Sequence, residues 1–101
     1  MKAKVYEGQR TIDGVAVTVD GRTLSTYEEI EQFARTGFEW SYEGEAPRQL
    51  AFALLFDHCG DKEIARALSE PFMRSIVANF DNDWALDSND LDVTITALTN
   101  H

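Results

Sequence analysis

Seven apolar side chains follow one another without interruption from Leu50 to Phe56, as Leu-Ala-Phe-Ala-Leu-Leu-Phe. A helix with that sequence is apolar on every side, so it is satisfied only when other elements surround it. Pro47, three residues upstream, suits the first turn of a helix because its missing N–H would be unpaired there in any case. Gly60 supplies the backbone freedom that commonly ends a helix. The spacing predicts a central, buried helix over residues 47–59, around which the rest of the chain is organised. At 101 residues and 44% hydrophobic content, the chain has the size and apolar content of one domain, residues 1–101, with one core.

The segments before that helix carry the two-residue period of strands. Lys4 to Gln9 and Val15 to Val19 read as strands, the second with Val15, Val17 and Val19 alternating against Ala16 and Thr18. Asp20-Gly21 favours the positive backbone dihedrals of a type I′ turn, so Arg22 to Ser25 should fold back antiparallel, and Asp13-Gly14 carries the same signal. Thr26 and Glu29 have capping-box spacing ahead of Ile30, Phe33 and Ala34, with Gly37 placed as a stop. A short helix is therefore expected over Tyr27 to Thr36. Phe38-Glu39-Trp40-Ser41-Tyr42 alternates aromatic and polar residues as a half-buried strand would.

Beyond Gly60, Asp61 is placed to cap a further helix whose apolar positions keep helical spacing from Ile64 to Phe80 across Pro71. A kink or break is expected at Pro71, or a fresh helix capped by Ser69. Trp84-Ala85-Leu86 suggests a strand. Leu91 to Leu98 fits either period, with the β-branched Val93 and Ile95 tilting the reading toward a strand. The fold class expected is α+β: a small antiparallel sheet packed against two or three helices.

The charge balance of 9 basic against 18 acidic residues gives a net charge of −9. It argues against direct nucleic-acid binding and for a protein partner with a basic surface. After Arg74 no lysine or arginine occurs, while Asp81, Asp83, Asp87, Asp90 and Asp92 follow. This run is read either as a solvated surface or as a contact face. Glu28, Glu29 and Glu31 form a second acidic group. The candidate partner-binding residues are thus Glu28, Glu29, Glu31, Asp81, Asp83 and Asp87.

Chemistry of other kinds finds little support. His58 and Cys59 are helix neighbours that point about 100° apart, too divergent for a nucleophile and its base. With His101 as the only other histidine, a zinc site is not expected. The Asp81–Asp92 stretch lacks the glycine and the final glutamate of a calcium loop. No phosphate loop or nucleophile elbow is present, so neither a cofactor nor catalysis is expected. A lone cysteine and the absence of an apolar run at the N-terminus or of a membrane-spanning stretch make a cytoplasmic, membrane-free protein the expectation.

Gly37-Phe38-Glu39-Trp40-Ser41-Tyr42 with Gly44, then Gln49-Leu50-Ala51, then Leu54-Leu55-x-Asp57-His58-x-Gly60-Asp61 carry a resemblance. On these motifs the chain resembles a family of small uncharacterised bacterial and phage proteins, domain of unknown function 6166. The resemblance extends from Val5-Tyr6 through Thr18-Val19-Asp20-Gly21 to Trp84-x-Leu86, with the Tyr27–Phe33 segment and Pro71 as departures. It implies no activity but a genetic context, phages and mobile elements, in which small acidic proteins bind and block host proteins. Anti-CRISPR proteins exemplify that class. The expected function is a non-enzymatic inhibitor of a host nucleic-acid-binding complex; the alternative is a structural module that self-associates, as a homodimer for example, through a strand edge or an apolar patch.

Overall fold

The computed structural model describes residues 4–100; residues 1–3 and His101, the second histidine considered above, lie outside them. Strand β1 (Val5–Thr11) runs antiparallel to β2 (Gly14–Val19), which turns into the two-residue β3 (Arg22–Thr23). A long irregular segment then leads to helix α1 (Glu45–Cys59) and helix α2 (Lys62–Ser75). After a short 3-10 turn at Val77–Asn79, strand β4 (Trp84–Asp87) returns to the sheet and helix α3 (Ser88–Thr99) follows. The sheet order is β3-β2-β1-β4, antiparallel throughout. This is the expected α+β class.

The alternation of β1 and β2 sorts their side chains by face. Tyr6, Val17 and Val19 point inward with Trp84 of β4, while Glu7, Gln9 and Ala16 point to solvent. The inner face and the helices share one core that includes Trp40, Leu50, Phe52, Leu54, Leu55, Phe72 and Leu91. Every residue from Gln49 to Leu55 is buried, as the all-round apolar sequence of α1 requires. Gly60 ends α1 in the left-handed region at φ 71° and returns its N–H to the Phe56 carbonyl, and the Asp61 side chain caps α2 by accepting from the Ile64 N–H.

Turn chemistry separates the two hairpins. Asp20 and Gly21 both take positive φ, 51° and 82°, as a type I′ turn demands. In the first hairpin the turn residues are Ile12 and Asp13, and only Gly14 has positive φ. Gly8 serves a different purpose: the Trp84 indole lies against it so closely that a Cβ there would sit 2.2 Å from Nε1. That ring stacks on Phe80 and meets Trp40 edge-on.

Four local expectations are corrected. Tyr27 to Thr36 is not a helix: Tyr27 sits at φ 55°, and the segment is a series of turns. Its polar backbone is satisfied partly within, where the Ile30 and Glu31 N–H groups donate to the Tyr27 carbonyl, and partly from α1. Phe38 to Tyr42 is irregular too, with Ser41 at φ 75°; Trp40 is buried, yet the segment hydrogen-bonds to the Val77 and Phe80 carbonyls and joins no sheet. Leu91 to Leu98 belongs to α3, because Asp87 and Asp90 form a capping box that nucleates a helix and outweighs the β-branched run. Pro71 lies inside α2, which continues unbroken to Ser75; Ser69 caps nothing, its hydroxyl donating to the Arg66 carbonyl.

Candidate functional site

The irregular segment after β3 is held by one side chain. Gln49 is fully buried on α1. Its Oε1 accepts from the Phe33 and Ala34 N–H groups at 2.6 and 3.2 Å, and its Nε2 donates to the Thr26 and Glu31 carbonyls at 2.7 and 3.0 Å. A primary amide is the side chain that can offer two donors and an acceptor oxygen from one position. Arg48, next along α1, lies over the Phe33 ring at 4.1 Å and donates to the Ser69 hydroxyl. The segment that carries Glu28, Glu29 and Glu31 is therefore pinned to the central helix by side chains.

At the other end of α1, Asp57 gathers three donors. Tyr6 and Tyr27 each donate a hydroxyl at 2.7 Å, one to each carboxylate oxygen, and Lys4 Nζ approaches to 3.4 Å. Burial alone would raise the pKa of Asp57, but the two phenol hydrogen bonds and the lysine charge outweigh it and hold the carboxyl below its ordinary value. The phenols shift the opposite way. Burial first, then hydrogen bonding to the Asp57 carboxylate, pushes Tyr27 up to about 12, and the same causes raise Tyr6 further. The cluster ties β1, the irregular segment and α1 together. Its sequence signal was a single acid at the end of an apolar helix, with no indication of the tyrosines that reach it.

The six acidic candidates do not converge on one site. Glu31 is half-buried and paired with Arg66 at 2.9 Å. Asp87 caps α3, accepting from the Asp90 N–H at 2.8 Å. Glu28 and Glu29 lie on the pinned segment and Asp81 and Asp83 on the loop before β4, and none of these four forms an ion pair among the described residues. They make two acidic surfaces. His58 and Cys59 are also apart in function: His58 Nε2 lies 2.6 Å from Asp92 on α3, whereas the Cys59 thiol is exposed and directed to the Asp61 carbonyl.

Two surface hollows accompany these features. One, of about 540 Å³, lies between Gln32–Thr36 and the start of α1 at Glu45 and Ala46. The other, of about 420 Å³, runs between β2 and the Thr36–Phe38 segment. Among the described residues no group of three or more His, Cys, Asp or Glu side chains could hold a metal ion, and no helix is long and apolar enough to cross a membrane. Neither the curated proteins nor the solved structures contain a match to this sequence. A family model does match, over residues 6–97, and the chain belongs to that family of unknown function, DUF6166.

Proposed function

We propose that the chain is a non-enzymatic acidic protein, encoded by a phage or mobile element and acting in the cytoplasm, that binds and inhibits a host protein complex through that complex's basic surface. A nucleic-acid-binding complex fits the charge best, since a groove built for phosphates attracts carboxylates in their place, and an anti-CRISPR role against a CRISPR effector is the form we favour. The observation that carries this reading is the unequal use of charge. Among the described residues Lys4, Arg10, Arg66 and Arg74 are engaged in ion pairs and only Arg22, Arg35, Arg48 and Lys62 are in none, whereas twelve of the 18 acids, Glu28, Glu29, Asp81 and Asp83 among them, are in none. Negative charge left at the surface steers encounter with a basic partner.

The test uses paired neutralisations that spare the structural acids. Glu28→Gln with Glu29→Gln, and separately Asp81→Asn with Asp83→Asn, should slow association with a purified CRISPR effector and flatten its salt dependence. Glu31→Gln and Asp87→Asn act through the Arg66 pair and the α3 cap and so report on stability instead. Wild-type association rates for both double variants across salt concentrations would defeat the proposal.

A further inference from the structure

The β1–β2 hairpin outruns its neighbours. β4 accompanies β1 only from Val5 to Gly8, and β3 accompanies β2 only at Thr18 and Val19. Successive residues of a strand point their backbone groups to opposite edges. Val17 gives its carbonyl to the Leu24 N–H at 3.0 Å on the β3 side. Val15, two residues back, therefore turns its N–H and C=O toward the same side, beyond the reach of β3, and no hydrogen-bonding partner meets them among the described residues. Such edges are usually blunted by a lysine, a proline or a bulge. Gly14-Val15-Ala16 has no lysine or proline, and its pairing with β1 is regular.

Beside this edge runs the 420 Å³ groove, walled by Val15, Val17 and Leu24 on one side and by Gly37 and Phe38 on the other. Arg22 and Arg35 adjoin its lining residues Thr23 and Thr36, and neither belongs to an ion pair among the described residues. The tip of the same hairpin has the opposite character. Ile12 is 101% exposed, and the neighbouring acid Asp13 is likewise in no ion pair among the described residues.

We propose that a second copy of this chain docks here, β2 against β2 about a two-fold axis at Val15, each hairpin tip entering the other copy's groove. One donor and one acceptor on a single residue are what a two-fold antiparallel pair exchanges. That register sets Ala16 opposite the second copy's Gly14, and because Leu24 already holds the edge at Val17, the pairing ends there: the second copy's chain leaves the edge at Asp13, where its own hairpin turns, and its tip passes into the groove beside Leu24. The tip's apolar side chain meets the groove's apolar wall, and its carboxylate comes near Arg22 and Arg35. A basic peptide on the same edge would face those two guanidinium groups instead. This dimer is independent of the inhibitor reading, since the groove contains none of Glu28, Glu29, Asp81 and Asp83.

Sedimentation equilibrium of the full chain in about 0.15 M salt, where repulsion between two chains is largely screened, should find a reversible monomer–dimer equilibrium. Ile12→Asp, at a position that touches no core, should weaken it about tenfold or more. Val15→Pro, which removes the outward N–H and leaves the β1 ladder, should weaken it as well, with Ala85→Pro on the opposite edge strand as the unaffected control. A wild-type chain that stays monomeric to about millimolar concentration, beyond the weakest affinities of a specific interface, overturns the proposal. So does a dimer that Ile12→Asp leaves intact or that Ala85→Pro dissociates.

Discussion

Replacing Gln49 by Leu keeps the volume of the side chain and removes its four hydrogen bonds. The Phe33 and Ala34 N–H groups and the Thr26 and Glu31 carbonyls then lose their partner on α1. Each net hydrogen bond is worth about 0.5–1.5 kcal/mol, and a buried group left unpaired costs about 1–3 kcal/mol. The segment is partly exposed, so water can recover some of these groups, and a loss of about 3 kcal/mol is the expected result. Against a total stability on the order of 5–15 kcal/mol for a chain of this size, that is a large fraction. It should lower the melting temperature by roughly 12–25 °C, at about 4–8 °C per kcal/mol. Calorimetry and urea titration measure the loss. Hydrogen exchange at the Phe33 and Ala34 amides locates it, since their protection should fall toward that of open loop. Gln49→Glu adds a discriminating arm, because a carboxylate still accepts from the two amides but cannot donate to the two carbonyls. It should destabilise at neutral pH and recover in part as the pH falls, since a protonated carboxyl has one O–H to donate where the amide has two N–H. A Gln49→Leu protein within about 0.5 kcal/mol of wild type, with Phe33 and Ala34 still protected, would refute the reasoning.

Leu54→Ala should cost about 2–5 kcal/mol, read by urea titration, because the fully buried side chain leaves a cavity at the centre of the core. Gly8→Ala should cost at least about 1–3 kcal/mol and red-shift the Trp84 fluorescence, since the new Cβ displaces the indole from the strand. The Asp57 cluster makes stability fall at both ends of the pH scale. Asp57 titrates lower folded than unfolded, so its contribution is complete above the unfolded carboxyl pKa of about 3.9 and is lost as the pH falls through the folded value. Tyr27 titrates higher folded, so its contribution is complete below the unfolded phenol pKa of about 10 and is lost as the pH rises toward about 12. Melting curves of Tyr27→Phe should show a weaker alkaline decline than wild type; an identical decline would remove Tyr27 as its source.

What sequence reading recovered were the features that a few adjacent residues decide. The apolar run makes α1 central, Asp20-Gly21 sets its turn, and Gly60 with Asp61 punctuates two helices. It failed where distant residues decide. Thr26 and Glu29 carry a helix signal, yet Tyr27 is drawn to Asp57 and the segment's backbone to Gln49, so helical bonding stops after the single turn in which the Ile30 and Glu31 N–H groups donate to the Tyr27 carbonyl, and tertiary hydrogen bonds take over. A glutamine directly before an all-round apolar run was itself a clue, since such a position is buried and must find partners. The α3 error was local and avoidable: Asp87-Ser88-Asn89-Asp90 is a capping-box spacing in plain sequence. For the candidate surfaces, composition located the acids but not their uses, and only the geometry separates Glu31 and Asp87, which are engaged within the fold, from the four that are not.

The position of β1 between β2 and β4 has a consequence for the order of events as the chain leaves the ribosome. β2 pairs with β1 almost at once, but the other edge of β1 waits for Trp84–Asp87, and the Lys4 N–H finds the Ser88 hydroxyl across 84 residues of sequence. At about 5–20 residues per second the nascent hairpin spends several seconds with a bare edge. A strand edge held open for that long is a template for mispairing, and the late closure by β4 marks the time before which this protein most needs a chaperone.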